Sequence, residues 1–130
     1  MNGFKIYNHK TIEGLFTKRE GEIKFGEKVV FIENLDELKN SNAKYVLFGI
    51  PEDIGVRANL GKPGAANAWI VCLKSLLNVQ ANRYTNPENL ILLGEVECST
   101  LMAKAANIDE SDPNYLAKLG DLIQTLDGIV

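Results

Sequence analysis

Residues able to do chemistry concentrate in two short stretches. The first, Pro51 to Gly64, reads PEDIGVRANLGKPG and carries Glu52, Asp53, Arg57, Asn59 and Lys62 among Gly55, Gly61 and Gly64. The second is Glu95-Val96-Glu97-Cys98-Ser99. The carboxylate pairs Glu52/Asp53 and Glu95/Glu97 are residue types suited to general acid–base work or to a hard metal ion. Adjacent acids in loops are, on spacing alone, more often simply solvated. The glycines permit positive φ and close backbone approach, and such a loop ahead of a helix is one way to cradle a phosphate. Its spacing matches neither the dinucleotide fingerprint nor the P-loop, and no Lys-Ser/Thr pair follows the last glycine. As plain structure, the glycines shape a long connection, Asp53 caps a turn and Arg57 pairs with an acid on the surface.

Softer ligands are scarce. The single histidine, His9, lies in the polar stretch Tyr7-Asn8-His9-Lys10, the setting of a solvated surface side chain. Cys72 and Cys98 are far apart and in no metal-ligand spacing. Cys72 falls in an apolar helical pattern and reads as a small buried hydrophobe. Cys98 follows an expected strand and has no neighbouring base in the sequence to activate it.

The elements that must position these residues follow from periodicity. Lys44 to Ile50 is a continuous apolar run ended by Gly49 and Pro51, as expected for a strand buried on both faces. A helix is expected over about Ala65 to Asn78, with Ala65, Ala68, Trp69, Cys72, Leu73, Leu76 and Leu77 on its buried face. Asn89 to Gly94 is a second buried strand. Strand, helix and strand at this spacing form a parallel βαβ unit, hence a layered α/β fold. If the strands are neighbours, both chemical stretches leave the same sheet edge, where open α/β sheets bind ligands.

Towards the end, Asp112 is placed to cap a helix with Pro113 at its first position. Tyr115, Leu116, Leu119, Leu122, Ile123 and Leu126 trace its apolar face. Trp69 and Tyr115 read as core. Asp127-Gly128 is the expected stop, and Ile129-Val130 the opening of a third strand. Before residue 44 the pattern is mixed, with a short helix expected over Thr11 to Lys18, a strand over Lys28 to Ile32 and a helical turn over Asn34 to Lys39. The organisation expected is an N-terminal extension, 1–43, and a βαβα portion, 44–130.

Composition narrows the function classes. The hydrophobic fraction of 45% over 130 residues supports a packed core rather than disorder. Acidic and basic side chains are interspersed with a net charge of −3, so no basic stripe points to nucleic acid. No long apolar run or signal peptide is visible, and with two unpaired-looking cysteines the expectation is a cytoplasmic protein without a membrane partner.

The stretch Tyr45 to Trp69, YVLFGIPEDIGVRANLGKPGAANAW, resembles the first strand, loop and helix of the ureohydrolases, most of all their arginase/formimidoylglutamase branch. The pattern is Gly-x-Pro-x-Asp-x-Gly-Val followed by a glycine-rich turn, here Gly49, Pro51, Asp53, Gly55, Val56, Gly61 and Gly64. Glu88 to Glu97, ENLILLGEVE, is similar to the second strand of that branch. The resemblance implies a three-layer α/β/α fold with a mainly parallel sheet. It also implies an enzyme that hydrolyses a guanidino or formimino carbon–nitrogen bond with two manganese ions, and a possible homo-oligomer. The family's Gly-Gly-x-His, Asp-x-His-x-Asp and Asp-x-Asp ligand motifs do not occur in this sequence. On this reading the chain is the N-terminal part of such an enzyme, inactive alone, with no catalytic residue and no metal ligand. Glu52, Asp53, Arg57 and Asn59 would border the substrate pocket of the whole enzyme. The alternative is a self-contained small α/β module for ligand binding or assembly, without catalysis.

Overall fold

The computed structural model describes residues 3–130. The chain divides into two compact units. One comprises Ile50–Trp69 and Val96–Val130 with the N-terminal residues as far as Phe4; the other comprises Lys5–Gly49 and Ile70–Glu95.

The second unit is built on a three-stranded sheet of order β1-β3-β2, with β1 at Phe4–Ile6, β2 at Tyr45–Gly49 and β3 at Leu90–Val96. β2 and β3 are parallel neighbours, with Tyr45 opposite Leu90 and Gly49 opposite Glu95. The expected βαβ connection is therefore present, and the fold is mixed α/β. β1 lies antiparallel to β3, with the Tyr7 N–H on the Leu93 carbonyl at 2.9 Å, so the sheet is mixed rather than purely parallel.

β3 does not end at Gly94. It continues to Val96 through a bulge in which Leu47 faces Leu92 while Phe48 faces Gly94. Gly94 has φ +147°, and a Cβ there would sit 1.9 Å from the Lys5 carbonyl oxygen, so only glycine lets β1 approach. β3 is buried as expected, with Ile91, Leu92 and Leu93 inside. β2 departs from expectation. Tyr45, Val46 and Phe48 are exposed, and no strand pairs beyond β2 among the described residues.

Helix α4, Ala68–Leu77, buries Leu73 and Leu77. The buried face is narrower than the expected stripe. Ala65–Asn67 form a 3-10 turn of different pitch, and Cys72, expected inside, is exposed. Trp69 is half-buried.

Before residue 44 the elements are shorter than their periodicity. Helix α1, His9–Ile12, begins on an Asn8/Thr11 capping box and does not run to Lys18. Beyond it, side-chain partners take the backbone groups that a helix would use. Asn78 Oδ1 accepts from the Thr17 N–H at 3.1 Å, and its Nδ2 donates to the Leu15 carbonyl at 3.0 Å. The same Oδ1 accepts from the buried Lys24 ammonium at 3.1 Å, at the carbonyl-rich end of α4 where a cation is favoured.

The expected strand over Lys28 to Ile32 does not form; its first residue ends helix α2, Phe25–Lys28, whose Glu27 carboxylate reaches back to the Lys24 N–H at 2.8 Å. Only Val30 pairs, as a single parallel bridge to Ile91. The expected turn near Asn34 is a 3-10 helix, Leu35–Asn40, capped by Asn34.

The first unit packs three helices: α3 at Ile54–Ala58, α5 at Ser99–Ala106 and α6 at Tyr115–Ile129. Their shared core contains Ile54, Val96, Cys98, Leu101, Ala105, Leu119 and Leu126. α6 starts two residues later than Pro113 would place it. Asp112 instead caps the turn before the helix, accepting from the Asn114 N–H at 2.8 Å. Gly128 does not stop α6, and Ile129 is helical rather than the start of a strand. Ile129 packs against the core, which outweighs a glycine penalty of about 1 kcal/mol. No helix among the described residues is long and apolar enough to cross a membrane.

Candidate functional site

The Pro51 to Gly64 loop leaves the carboxyl end of β2, and it is not irregular throughout: it contains α3. Glu52 precedes that helix, and its Oε2 accepts from the Ile54 N–H at 2.6 Å and the Gly55 N–H at 3.2 Å. These are amides that α3 itself leaves unpaired. Its carboxylate is thereby committed to the loop.

Asp53 is 2% exposed and organises the rest. Its Oδ1 lies 2.8 Å from Arg57 Nε, one helical turn on. Its Oδ2 accepts from the Gly64 N–H at 2.8 Å, closing the loop across eleven residues. Burial raises the Asp53 pKa. The Arg57 hydrogen bond, the Gly64 N–H, the Arg57 charge and the Ala66 N–H outweigh it, and the net shift is downward. Gly64, at φ +138°, supplies a backbone conformation that other residues resist. Gly61 has a steric reason: a Cβ there would lie 2.8 Å from Val56 Cγ1. Just before Gly61, Leu60 is held at φ +60°, the only non-glycine with positive φ among the described residues.

The four residues singled out in this loop thus separate. Asp53 and Arg57 come together, Glu52 turns onto backbone amides, and Asn59 is an exposed residue at the end of α3. Arg57 is anchored through Nε alone, and its two terminal nitrogens have no hydrogen-bond partner among the described residues. Arg57 also lines a shallow cleft of about 200 Å³, with Leu60, Gly61, Glu110 and Tyr115. Tyr115, expected in the core, is only partly buried beside it.

The carboxylates at the end of β3 and just after it are also engaged. Glu95 accepts from the Tyr7 hydroxyl at 2.5 Å, and Glu97 accepts from the Ser99 N–H at 3.2 Å and its hydroxyl at 2.5 Å. Cys98 is buried at the start of α5. His9 is exposed, edge-on to Phe31 with ring centroids 4.5 Å apart, and borders open grooves of the second unit. Among the described residues, no three His, Cys, Asp or Glu side chains come together as a metal-ligand set.

Reading the sequence alone misses the Glu110 side of the cleft, because 53 residues separate it from Arg57 and no local pattern links them. It also passes over helix α5, although Cys98, Leu101 and Ala105 repeat on one face. Comparison with protein-family models, with curated proteins and with solved structures finds no match.

Proposed function

We propose that this chain is the N-terminal part of a binuclear manganese ureohydrolase, an arginase- or formimidoylglutamase-like enzyme acting on a guanidino or formimino carbon–nitrogen bond. The observation that carries the reading is the loop built around Asp53. The residues that resemble the family pattern are the ones that shape it. Asp53 ties to Arg57 and Gly64, Gly61 makes room for Val56, and the loop leaves the end of a strand parallel to its neighbour. Loops at that edge carry the ligand sites of open α/β sheets.

In this reading the mixed sheet is the start of a three-layer, mainly parallel one, and the exposed edge of β2 is where it continues. The loop contributes walls to a substrate pocket. The metals, and the activation of water that they supply, belong to segments outside this chain. No step of the chemistry falls to residues described here, and the chain alone is inactive. The whole enzyme is cytoplasmic and takes a small guanidino or formimino substrate.

The exposed strand β2 also favours a second reading, an assembly module that pairs another strand at that edge.

The test is the complete reading frame that encodes this chain, expressed with manganese and assayed on arginine, agmatine and formimidoylglutamate. Hydrolysis of one of them supports the enzyme reading. A complete frame without Gly-Gly-x-His and Asp-x-His-x-Asp segments, or with them but inactive on all three at saturating manganese, rejects it.

A further inference from the structure

Two exposed tyrosines from distant parts of the sequence stand on one concavity. Tyr84 is 80% exposed and Tyr45 is exposed as well, and both line a cleft of about 400 Å³ with Lys44, Thr85, Asn86 and Asn89. All six belong to the second unit.

The walls are fixed by the protein itself. The Lys44 N–H donates to the Asn89 carbonyl at 2.8 Å, and Tyr45 is in register with Leu90, so one piece of sheet carries both sides. The turn that bears Tyr84 and Thr85 is tied by Asn82 Oδ1, which accepts from the Tyr84 N–H at 2.8 Å and the Thr85 N–H at 3.1 Å. Asn86 Oδ1 accepts from the Glu88 N–H at 3.0 Å, which orients that amide and keeps its Nδ2 as a donor. The Arg83 guanidinium lies over the Tyr84 ring, 4.6 Å from its centroid, and restrains that side chain. Such fixing lowers the ordering cost of binding.

The chemistry of the lining narrows the ligand. Tyrosine rings carry a negative face, which suits the weakly positive C–H groups of a saturated ring. The Asn86 and Asn89 amides and the Thr85 hydroxyl are groups that both donate and accept, and so is each hydroxyl of a sugar. Lys44 is the one charged residue on the lining and enters no ion pair among the described residues. It provides for a single negative group. A nucleotide would use the rings and Lys44 but brings fewer hydroxyls to the three polar side chains. The volume lies within the range of small-molecule sites.

We propose that this cleft binds a hexuronate, a pyranose sugar bearing a carboxylate. The C–H face of the ring packs on the tyrosines, the hydroxyls bond to Thr85, Asn86 and Asn89, and the carboxylate meets Lys44. The proposal goes beyond the hydrolase reading, since it requires no metal and no residue outside this chain.

The experiment is a titration of the isotopically labelled 130-residue chain in metal-free buffer, following backbone amide resonances. The probes are D-glucuronate, methyl D-glucoside, which lacks the carboxylate, cyclohexanecarboxylate, which lacks the hydroxyls, and adenosine monophosphate. Glucuronate is expected to shift the Tyr45, Tyr84 and Thr85 amides saturably, with a dissociation constant on the order of 1 mM. The glucoside is expected to bind about fivefold more weakly, and cyclohexanecarboxylate and the nucleotide at least about tenfold more weakly. Tyr84→Ala and Lys44→Gln alter exposed side chains, so the remaining spectrum is retained. Tyr84→Ala is expected to weaken glucuronate and glucoside alike, by about fivefold. Lys44→Gln is expected to bring glucuronate down to the level of the glucoside and to leave the glucoside unchanged. No saturable shift, equal or tighter binding of any other probe, or unchanged glucuronate affinity in either variant overturns the site. Silence here with an active complete enzyme overturns this site alone; binding here with an inactive complete enzyme overturns the hydrolase reading alone.

Discussion

β2 and β3 are written in nearly the same alphabet and end in opposite environments. Tyr45-Val46-Leu47-Phe48-Gly49 and Leu90-Ile91-Leu92-Leu93-Gly94 are both apolar runs closed by glycine. β3 lies in the middle of the sheet, and Ile91 and Leu92 are 1% exposed. β2 lies at the edge, and Tyr45 is 65% exposed and Val46 48%. Their glycines differ as well. Gly49 closes its strand, whereas Gly94 bends its strand and lets it continue. An apolar run therefore specifies extended backbone, while neighbours on either side decide burial.

The comparison can be broken at three points, taken from the largest effect down. Gly94→Ala forces a side chain into φ +147° and against the Lys5 carbonyl. It should cost more than about 4 kcal/mol, enough to leave a small protein unfolded, as read by the loss of a cooperative denaturant transition. A variant that unfolds with native-like cooperativity would mean that the bulge is not required.

Asp53→Asn, just past β2, should cost about 1–3 kcal/mol, because Arg57 loses its charged partner but remains partly solvated. The sign of the pH dependence follows from the lowered Asp53 pKa. The stabilisation is present above the unfolded-state value of about 3.9 and is lost as pH falls through the lower, folded-state value. The wild-type chain should accordingly lose more stability than Asp53→Asn when the pH is taken from neutral to below about 4. Parallel acid limbs in the two proteins would show that Asp53 is not held as described.

Val46→Lys, on the exposed face of β2, should change stability by no more than about 0.5 kcal/mol. It should also reduce any concentration-dependent association, since a charged edge strand resists pairing. Sedimentation at several concentrations measures the second effect. A loss of several kcal/mol would place Val46 in a core and erase the contrast between the strands.

Much of the candidate loop was legible from local pattern. An acid partner for Arg57 was expected, though not that it is Asp53, one turn away on a helix inside the loop. Gly64 stands where a helical segment begins. What was not legible is how deeply Asp53 is buried, and that its second oxygen closes the loop on Gly64. The N-terminal elements were legible only in part. Asn8 and Asn34 cap helices as their type predicts, but Asn78 ends the first helical stretch from a distance of more than sixty residues.

By itself, the sequence determined the elements that depend on neighbours in the chain. These are the parallel strand–helix–strand unit, the capped turns, the glycine-shaped loop and the absence of a basic or membrane-spanning stretch. Only the tertiary structure decided which apolar run is covered, which glycine is a bulge, and which charges share a cleft. It turned Ile129 from an expected strand into the last residue of a packed helix, and set Glu110 and Arg57 in one cleft across 53 residues. The physical reason is the same throughout. Periodicity and capping act over a few residues of backbone, whereas burial and charge pairing are set by whichever distant segment fills the space alongside.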